Sequence, residues 1–246
     1  MPSIVEWGEG IWTIDKPHRT MGIELGTRTT IVRLPTGGIV LLSPGPLSRD
    51  DFRAIDELGR VEGLVAPNVF HHLYLRRAHE RFPEAAVFLA PGLRAKVPDL
   101  PPGEALSDEA PKLWAGSLEQ LLVKGTSTRE VVFFHPPSRT LVLTDLAFNV
   151  REGGLFTRIA LRLNGGWDRF GPTRVLRSSI HDPAAFDASI RRIAAWDFDH
   201  IVVAHGKVVE TGGRAAFRRA FNLEDEVPVP PPRGGEFASR TEDSPA

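Results

Sequence analysis

The order of strand-like and helix-like runs constrains the fold of this chain more than any single residue does. The first 45 residues carry only strand signals. Residues 10–14 form a short apolar run, residues 29–34 are rich in β-branched side chains, and residues 39–42 (Ile-Val-Leu-Leu) read as a buried strand. A turn at residues 35–38 separates the last two, and Ser43-Pro44-Gly45-Pro46 stops the third. The pattern then changes. Ser48 is a plausible N-cap for a helix in which Phe52, Ile55 and Leu58 recur at helical spacing before Gly59. Residues 61–66 read as a strand ended by Pro67, residues 73–82 as a helix closed by Pro83, and residues 87–90 as another strand. Helix and strand in alternation imply parallel strands joined by crossovers.

The second half repeats the change of pattern without repeating the sequence. Residues 97–116, rich in Pro, Gly and acids, read as a long surface loop. Three strands are expected at 119–123, 130–134 and 140–144, the last two joined by a turn at 136–139. Residues 146–180 are mixed, with two Gly-Gly pairs and six arginines (151, 158, 162, 169, 174 and 177). Asp182-Pro183 places a cap and a proline in the favoured order to open a helix. A strand at 200–204 and a helix over roughly 212–222 follow. The expectation is one domain over residues 1–222 and a disordered Pro/Gly-rich acidic tail over 223–246.

Composition removes several function classes. With no cysteine, the chain can form no disulfide, no thiolate metal site and no cysteine nucleophile. A net charge of -1 supplies no bulk field toward nucleic acid or membrane, so neither is expected as a partner, while a small-molecule substrate is compatible with it. Residues 1–6 lack the basic and apolar regions of a signal peptide, and apolar runs are only strand-length, so a soluble cytoplasmic protein is expected. The oligomeric state has no sequence signature. Arginine greatly outnumbers lysine, which reads as the codon bias of a GC-rich genome.

Any metal must therefore be held by His, Asp, Glu or Asn. Of the eight histidines, His18, His79, His181 and His200 have ordinary structural readings in a loop, on a helix face, before a helix cap and at a strand start. Three places differ. His71 and His72 follow a buried strand at the start of a helix, Asp145 ends the strand 140–144, and His205 ends the strand 200–204 before Gly206. Ligands collect beyond strand ends in α/β sheets. Neutral imidazoles with one carboxylate suit zinc or iron. His135 sits at the opposite end of its hairpin from Asp145, roughly 15 Å away at ~3.3 Å per residue, and should not share a metal with it.

The element order over about residues 5–222 resembles the metallo-β-lactamase superfamily, and the motif positions match in degraded form. Where that family carries T-H-x-H-x-D-H, residues 66–72 read Ala-Pro-Asn-Val-Phe-His-His. The first two metal histidines fall on Pro67 and Val69, the motif's Asp on His71 and its last His on His72. No histidine occurs near residues 125–128, where the third is expected. The bridging aspartate is matched by Asp145, the final histidine by His205, and the early Asp-x-Gly turn is replaced by Ser43-Pro44-Gly45. The pattern is similar to an uncharacterised branch of that superfamily that carries only a domain-of-unknown-function label.

The resemblance implies an α/β (α+β) fold: a four-layer αββα sandwich of two mixed sheets flanked by helices. It also implies that the first metal site was deleted as a unit while a second-site set, His71, His72, Asp145 and His205, remains, with Asp145 as the catalytic candidate. Two functions compete. One is a mononuclear metal-dependent hydrolase of an ester, thioester or phosphoester, with zinc, iron or manganese as its one divalent ion. The other is a metal-free binding or scaffold protein. Four protein ligands would close a tetrahedral site, so a hydrolase needs five-coordination or one of the four standing back from the ion. Asn68 and Thr144 are candidates to orient the ligands.

Overall fold

The structure is a computed structural model in which residues 4–223 are described; all but the first residue of the expected tail lies outside them. The chain opens with β1 (Ile4–Glu6), β2 (Ile11–Lys16), a two-residue pair β3 (Arg19–Thr20) and β4 (Ile23–Glu24), β5 (Thr27–Arg33) and β6 (Ile39–Leu42). Then come α1 (Arg49–Leu58), β7 (Val61–Ala66), α2 (Leu75–Arg81), β8 (Ala86–Leu89), α3 (Leu93–Lys96) and β9 (Glu104–Ala105). The second half holds β10 (Glu119–Leu122), β11 (Val131–His135), β12 (Thr140–Leu143), α4 (Leu155–Leu163), α5 (Arg174–Ser178), α6 (Pro183–Ala195), β13 (His200–Val203) and α7 (Gly213–Ala220).

The strands form two mixed sheets. The larger runs β1-β2-β5-β6-β7-β8-β9, antiparallel up to β6 and parallel from β6 onward. The smaller runs β10-β11-β12-β13, with only the β12–β13 pair parallel. Period-two alternation sorts the side chains of each strand between two cores. Val40 and Leu42 of β6, Val131 and Phe133 of β11, Val142 and Val202 pack together between the sheets, around Trp114. Ile39 and Leu41 turn the other way, against Phe52 and Ile55 of α1 and Leu75 and Ala78 of α2. Val132, Phe134, Leu141 and Val203 face Ile190 and Ile193 of α6 and Phe217 of α7. Helix, sheet, sheet, helix is thus the direct product of strands that are apolar on both faces.

Local signals hold the helices where the sequence places them. Ser48 and Asp51 form a reciprocal capping box on α1, and Asp182 caps α6 by accepting from the Ala185 amide, with Pro183 at its first position. The mixed segment 146–180 contains two helices, α4 and α5, that no core-facing pattern announces. Leu155, Phe156, Ile159 and Leu163 of α4 are exposed, while Thr157 and Leu161 are the buried residues.

One consequence of the topology positions everything that follows. The carboxyl ends of the parallel strands β6, β7, β12 and β13 lead into Ser43, Asn68, Asp145 and His205, and hydrogen bonds between these segments place them at one end of the sandwich.

Candidate metal centre

Three side chains converge there. His71 Nε2 lies 3.3 Å from His205 Nε2 and 3.4 Å from Asp145 Oδ2, and His205 Nε2 lies 3.4 Å from Asp145 Oδ1. Their side chains are 8%, 6% and 16% exposed, so little water competes for them. Among the described residues, His71, Asp145 and His205 form the one cluster able to offer three metal donors. His72 is not part of it. It is half-buried on the same cavity wall, but its neighbour His71 is the residue directed at the cluster.

Each donor is fixed from behind. The His205 Nδ1 lies 2.9 Å from the Gly26 carbonyl, which only accepts; Nδ1 must therefore carry the proton and leave a lone pair on Nε2 in the neutral ring. The ring also packs against Phe148, with centroids 4.7 Å apart. Gly206 follows with φ +98°, and a Cβ there would sit 2.2 Å from the Asn149 carbonyl, so the chain turns away from His205 only as glycine. His71 Nδ1 pairs with Ser43 Oγ at 2.6 Å, and Ser43 holds φ +54°, a left-handed conformation unusual for a residue with a Cβ.

Asn68 joins the two halves. Fully buried, it donates from Nδ2 to Thr144 Oγ1 (2.9 Å) and Asp145 Oδ2 (2.7 Å), and accepts at Oδ1 from the amides of Phe70 (2.7 Å) and His71 (2.8 Å). One side chain thereby orients both the His71 loop and the Asp145 carboxylate. Glu130 completes the support. Its carboxylate accepts the Thr144 and Asp145 amides at 2.7 and 2.8 Å from a fully buried position. Burial, reinforced by the Asp145 charge, pushes the Glu130 carboxyl up to about 7. For Asp145 burial acts in the same direction, but the His71 and His205 imidazoles outweigh it and hold the carboxyl well below the usual range.

The trio opens into a cavity of about 270 Å³. His18, read from sequence as an ordinary loop residue, lines it. Its ring meets Tyr74 edge-on, with Nδ1 3.2 Å from the phenol oxygen and Nε2 3.2 Å from Thr20 Oγ1. Burial, then His205 and His71, lower its pKa, which favours the neutral ring. Neither His18 nor Glu130 carries a local motif; both reach the site through contacts distant in sequence. His135 pairs in register with Thr140 at the opposite end of β12 from Asp145 and bonds Ser138 at 2.7 Å, clear of the cluster. His79, His181 and His200 are likewise outside the cluster.

A tetrahedral ion with bonds of about 2.0–2.1 Å keeps its donors about 3.3–3.4 Å apart. The two imidazole nitrogens, 3.3 Å apart, match that spacing, and each lies 3.4 Å from a different oxygen of the Asp145 carboxylate, His71 from Oδ2 and His205 from Oδ1. Two imidazoles and a carboxylate, each backed by a second hydrogen bond, fit a divalent ion.

Comparisons with known proteins agree with this architecture. A family model described as a domain of unknown function (DUF4336) matches residues 8–102, which include His71 but neither Asp145 nor His205. No curated protein matches by sequence. In structure the chain is similar to a metallo-β-lactamase from Pontibacter korlensis, at 15% identity and TM-score 0.62, covering 90% of this chain and 99% of that one. It is similar to the FIM-1 metallo-β-lactamase from Pseudomonas aeruginosa in its mono-zinc form, at 15% identity and TM-score 0.60, covering 90% and 94%. A metal-soaked flavodiiron core from Synechocystis sp. aligns at 12% identity and TM-score 0.61, covering 90% and 60%. The fold is that of the metallo-β-lactamases.

Proposed function

We propose that this metallo-β-lactamase-fold chain is a mononuclear metal-dependent hydrolase of a small ester, thioester or phosphoester, with His71, Asp145 and His205 as its metal ligands. The observation that carries the reading is the convergence of the His71 and His205 Nε2 atoms, 3.3 Å apart, on the two oxygens of one carboxylate, each nitrogen 3.4 Å from its own oxygen. Three protein ligands, with His72 standing back, leave a coordination position for water or substrate, which a closed four-residue set would not. When bound, a divalent ion supplies Lewis acidity, polarising a substrate oxygen and lowering the pKa of a coordinated water toward ~7.

The chain's own residues do the rest. Asp145, held ionised by its two imidazole neighbours, supplies the negative charge of the ligand set. Gly26 and Ser43 hold the two rings, while Asn68 and Glu130 fix the aspartate and its backbone. His18, kept neutral and anchored by Tyr74, faces the same cavity and is placed to exchange a proton with substrate. Phe70 and Leu73, both exposed, give the cavity wall apolar contact surface. The metal-free scaffold reading is marked by direct hydrogen bonds of about 2.7–3.2 Å within the trio, and the observed contacts of 3.3–3.4 Å lie just beyond that range.

The test is metal content by elemental mass spectrometry on protein purified without affinity tag or chelator, for wild type and His205→Ala. About one equivalent of zinc, iron or manganese, lost in the variant, supports the proposal and directs a screen of esters, thioesters and phosphoesters. No metal in either protein after incubation with excess ion refutes it and favours the scaffold reading.

A further inference from the structure

Phe70 lines two cavities. One holds the trio; the other, of about 550 Å³, is walled by Val69, Lys96, Ser127, Arg129 and His181. Among the described residues, some cations of the fold pair with carboxylates and others do not. Lys16, Arg28, Lys124, Arg192 and Lys207 each pair with a carboxylate. Lys96 and Arg129 have no such partner among the described residues. Lys96 Nζ donates to the Val69 carbonyl at 2.9 Å and lies 4.5 Å from the Phe70 ring centre, which uses one of its three N–H donors. Arg129 Nη1 reaches the Pro91 carbonyl at 3.3 Å, and the rest of its fork is uncommitted.

The guanidinium occupies a place kept clear for it. Arg129 holds φ +50°, and its Nη1 lies where a Cβ on Gly92 would approach to 1.7 Å. Gly92 itself has φ +75°, so both the backbone and the missing side chain favour this placement. Ser127 adds a hydroxyl and His181 an imidazole to the same wall. The two cavities share Phe70 as a wall residue.

We propose that this cavity is an anion subsite for the phosphate group of a phosphorylated small molecule, which crosses Phe70 to present its scissile ester or thioester to the trio. A guanidinium fork and an ammonium on the wall of one cavity offer more donors than a planar carboxylate, which the fork alone would satisfy, can use, and so suit a tetrahedral oxyanion better. The link to a scissile bond rests on the hydrolase reading; the anion subsite does not.

The test is calorimetric titration of the full chain, stripped of metal by chelator and dialysed, with inorganic phosphate and separately with acetate. Wild type is expected to bind phosphate in the millimolar range, more weakly as salt rises. Lys96→Met and Arg129→Gln should each weaken binding about tenfold or more, from loss of one charge-assisted bond. Arg129→Lys should recover part of the loss, and His205→Ala should bind like wild type. Thermal unfolding of each variant confirms that it is folded. Absence of phosphate binding by wild type, or binding by Lys96→Met and Arg129→Gln equal to wild type, overturns the subsite. Acetate binding as tight as phosphate overturns the assignment to phosphate. Metal uptake is scored separately: a chain that takes up no metal yet binds phosphate through Lys96 and Arg129 supports the subsite and refutes the metal centre.

Discussion

Replacing Asn68 with leucine, close in shape but unable to hydrogen-bond, is expected to damage both stability and the site. The side chain is fully buried and makes four hydrogen bonds, one to the Asp145 carboxylate and three to neutral groups. At about 1 kcal/mol for each neutral bond and about 2 for the charged one, the loss sums to about 5 kcal/mol. That is a large share of a typical 5–15 kcal/mol of total stability. With a urea m-value of about 2–3 kcal/mol/M, the unfolding midpoint should fall by about 2 M. Asn68→Asp is the sharper companion. It keeps acceptors for the Phe70 and His71 amides but sets a carboxylate against Asp145, so its defect should be greatest at neutral pH and shrink on acidification. An Asn68→Leu protein within about 1 kcal/mol of wild type, with unchanged metal content, would refute the claim that this residue couples the halves of the site.

Other outcomes follow from single features. Glu130, raised from 4.5 to about 7 in the folded state, favours folding with its proton on; that contribution is complete below about pH 4.5 and is lost as pH rises through 7. In chelated protein, about 3 kcal/mol of stability should disappear over that window, and Glu130→Gln should flatten the decline; parallel wild-type and variant profiles would contradict it. Asp145 acts with the opposite sign: its lowered pKa gives stability present above the usual carboxylate range and lost as pH falls below it, an acid-side decline that Asp145→Asn should remove. Ser43→Ala should leave the fold intact but weaken metal affinity about 10- to 100-fold by freeing the His71 ring, measured by competition with a chromophoric chelator. Gly206→Ala, forced against the Asn149 carbonyl, should destabilise by about 2 kcal/mol or more and lower metal content through His205.

How much was legible depended on whether the cause was local. The strand at 39–42, the Ser48 cap and the Asp182-Pro183 helix start are where the sequence puts them, because alternation and capping act within a few residues. Helix α4 escaped because its large apolar residues face outward. The pairs β3–β4 and β9 are too short to show a period. At the site, His71, Asp145 and His205 were visible as polar residues just past buried strands. His72 stands beside His71 in sequence, but adjacency on a turn does not give two side chains one direction. His18 and Glu130 were invisible for the converse reason: each matters only through neighbours brought to it by the sheets.

The trio draws His71 from the loop after a strand of the larger sheet and Asp145 and His205 from the ends of two strands of the smaller one, with 134 residues between first and last. No fragment ending before β13 contains the full set. During synthesis, the early ligand must wait, bare and weak, until nearly the whole domain has emerged. An ion held by all three would then certify a finished chain: its presence would mark molecules in which both sheets had formed and met, and its release would be an early sign that they had begun to part.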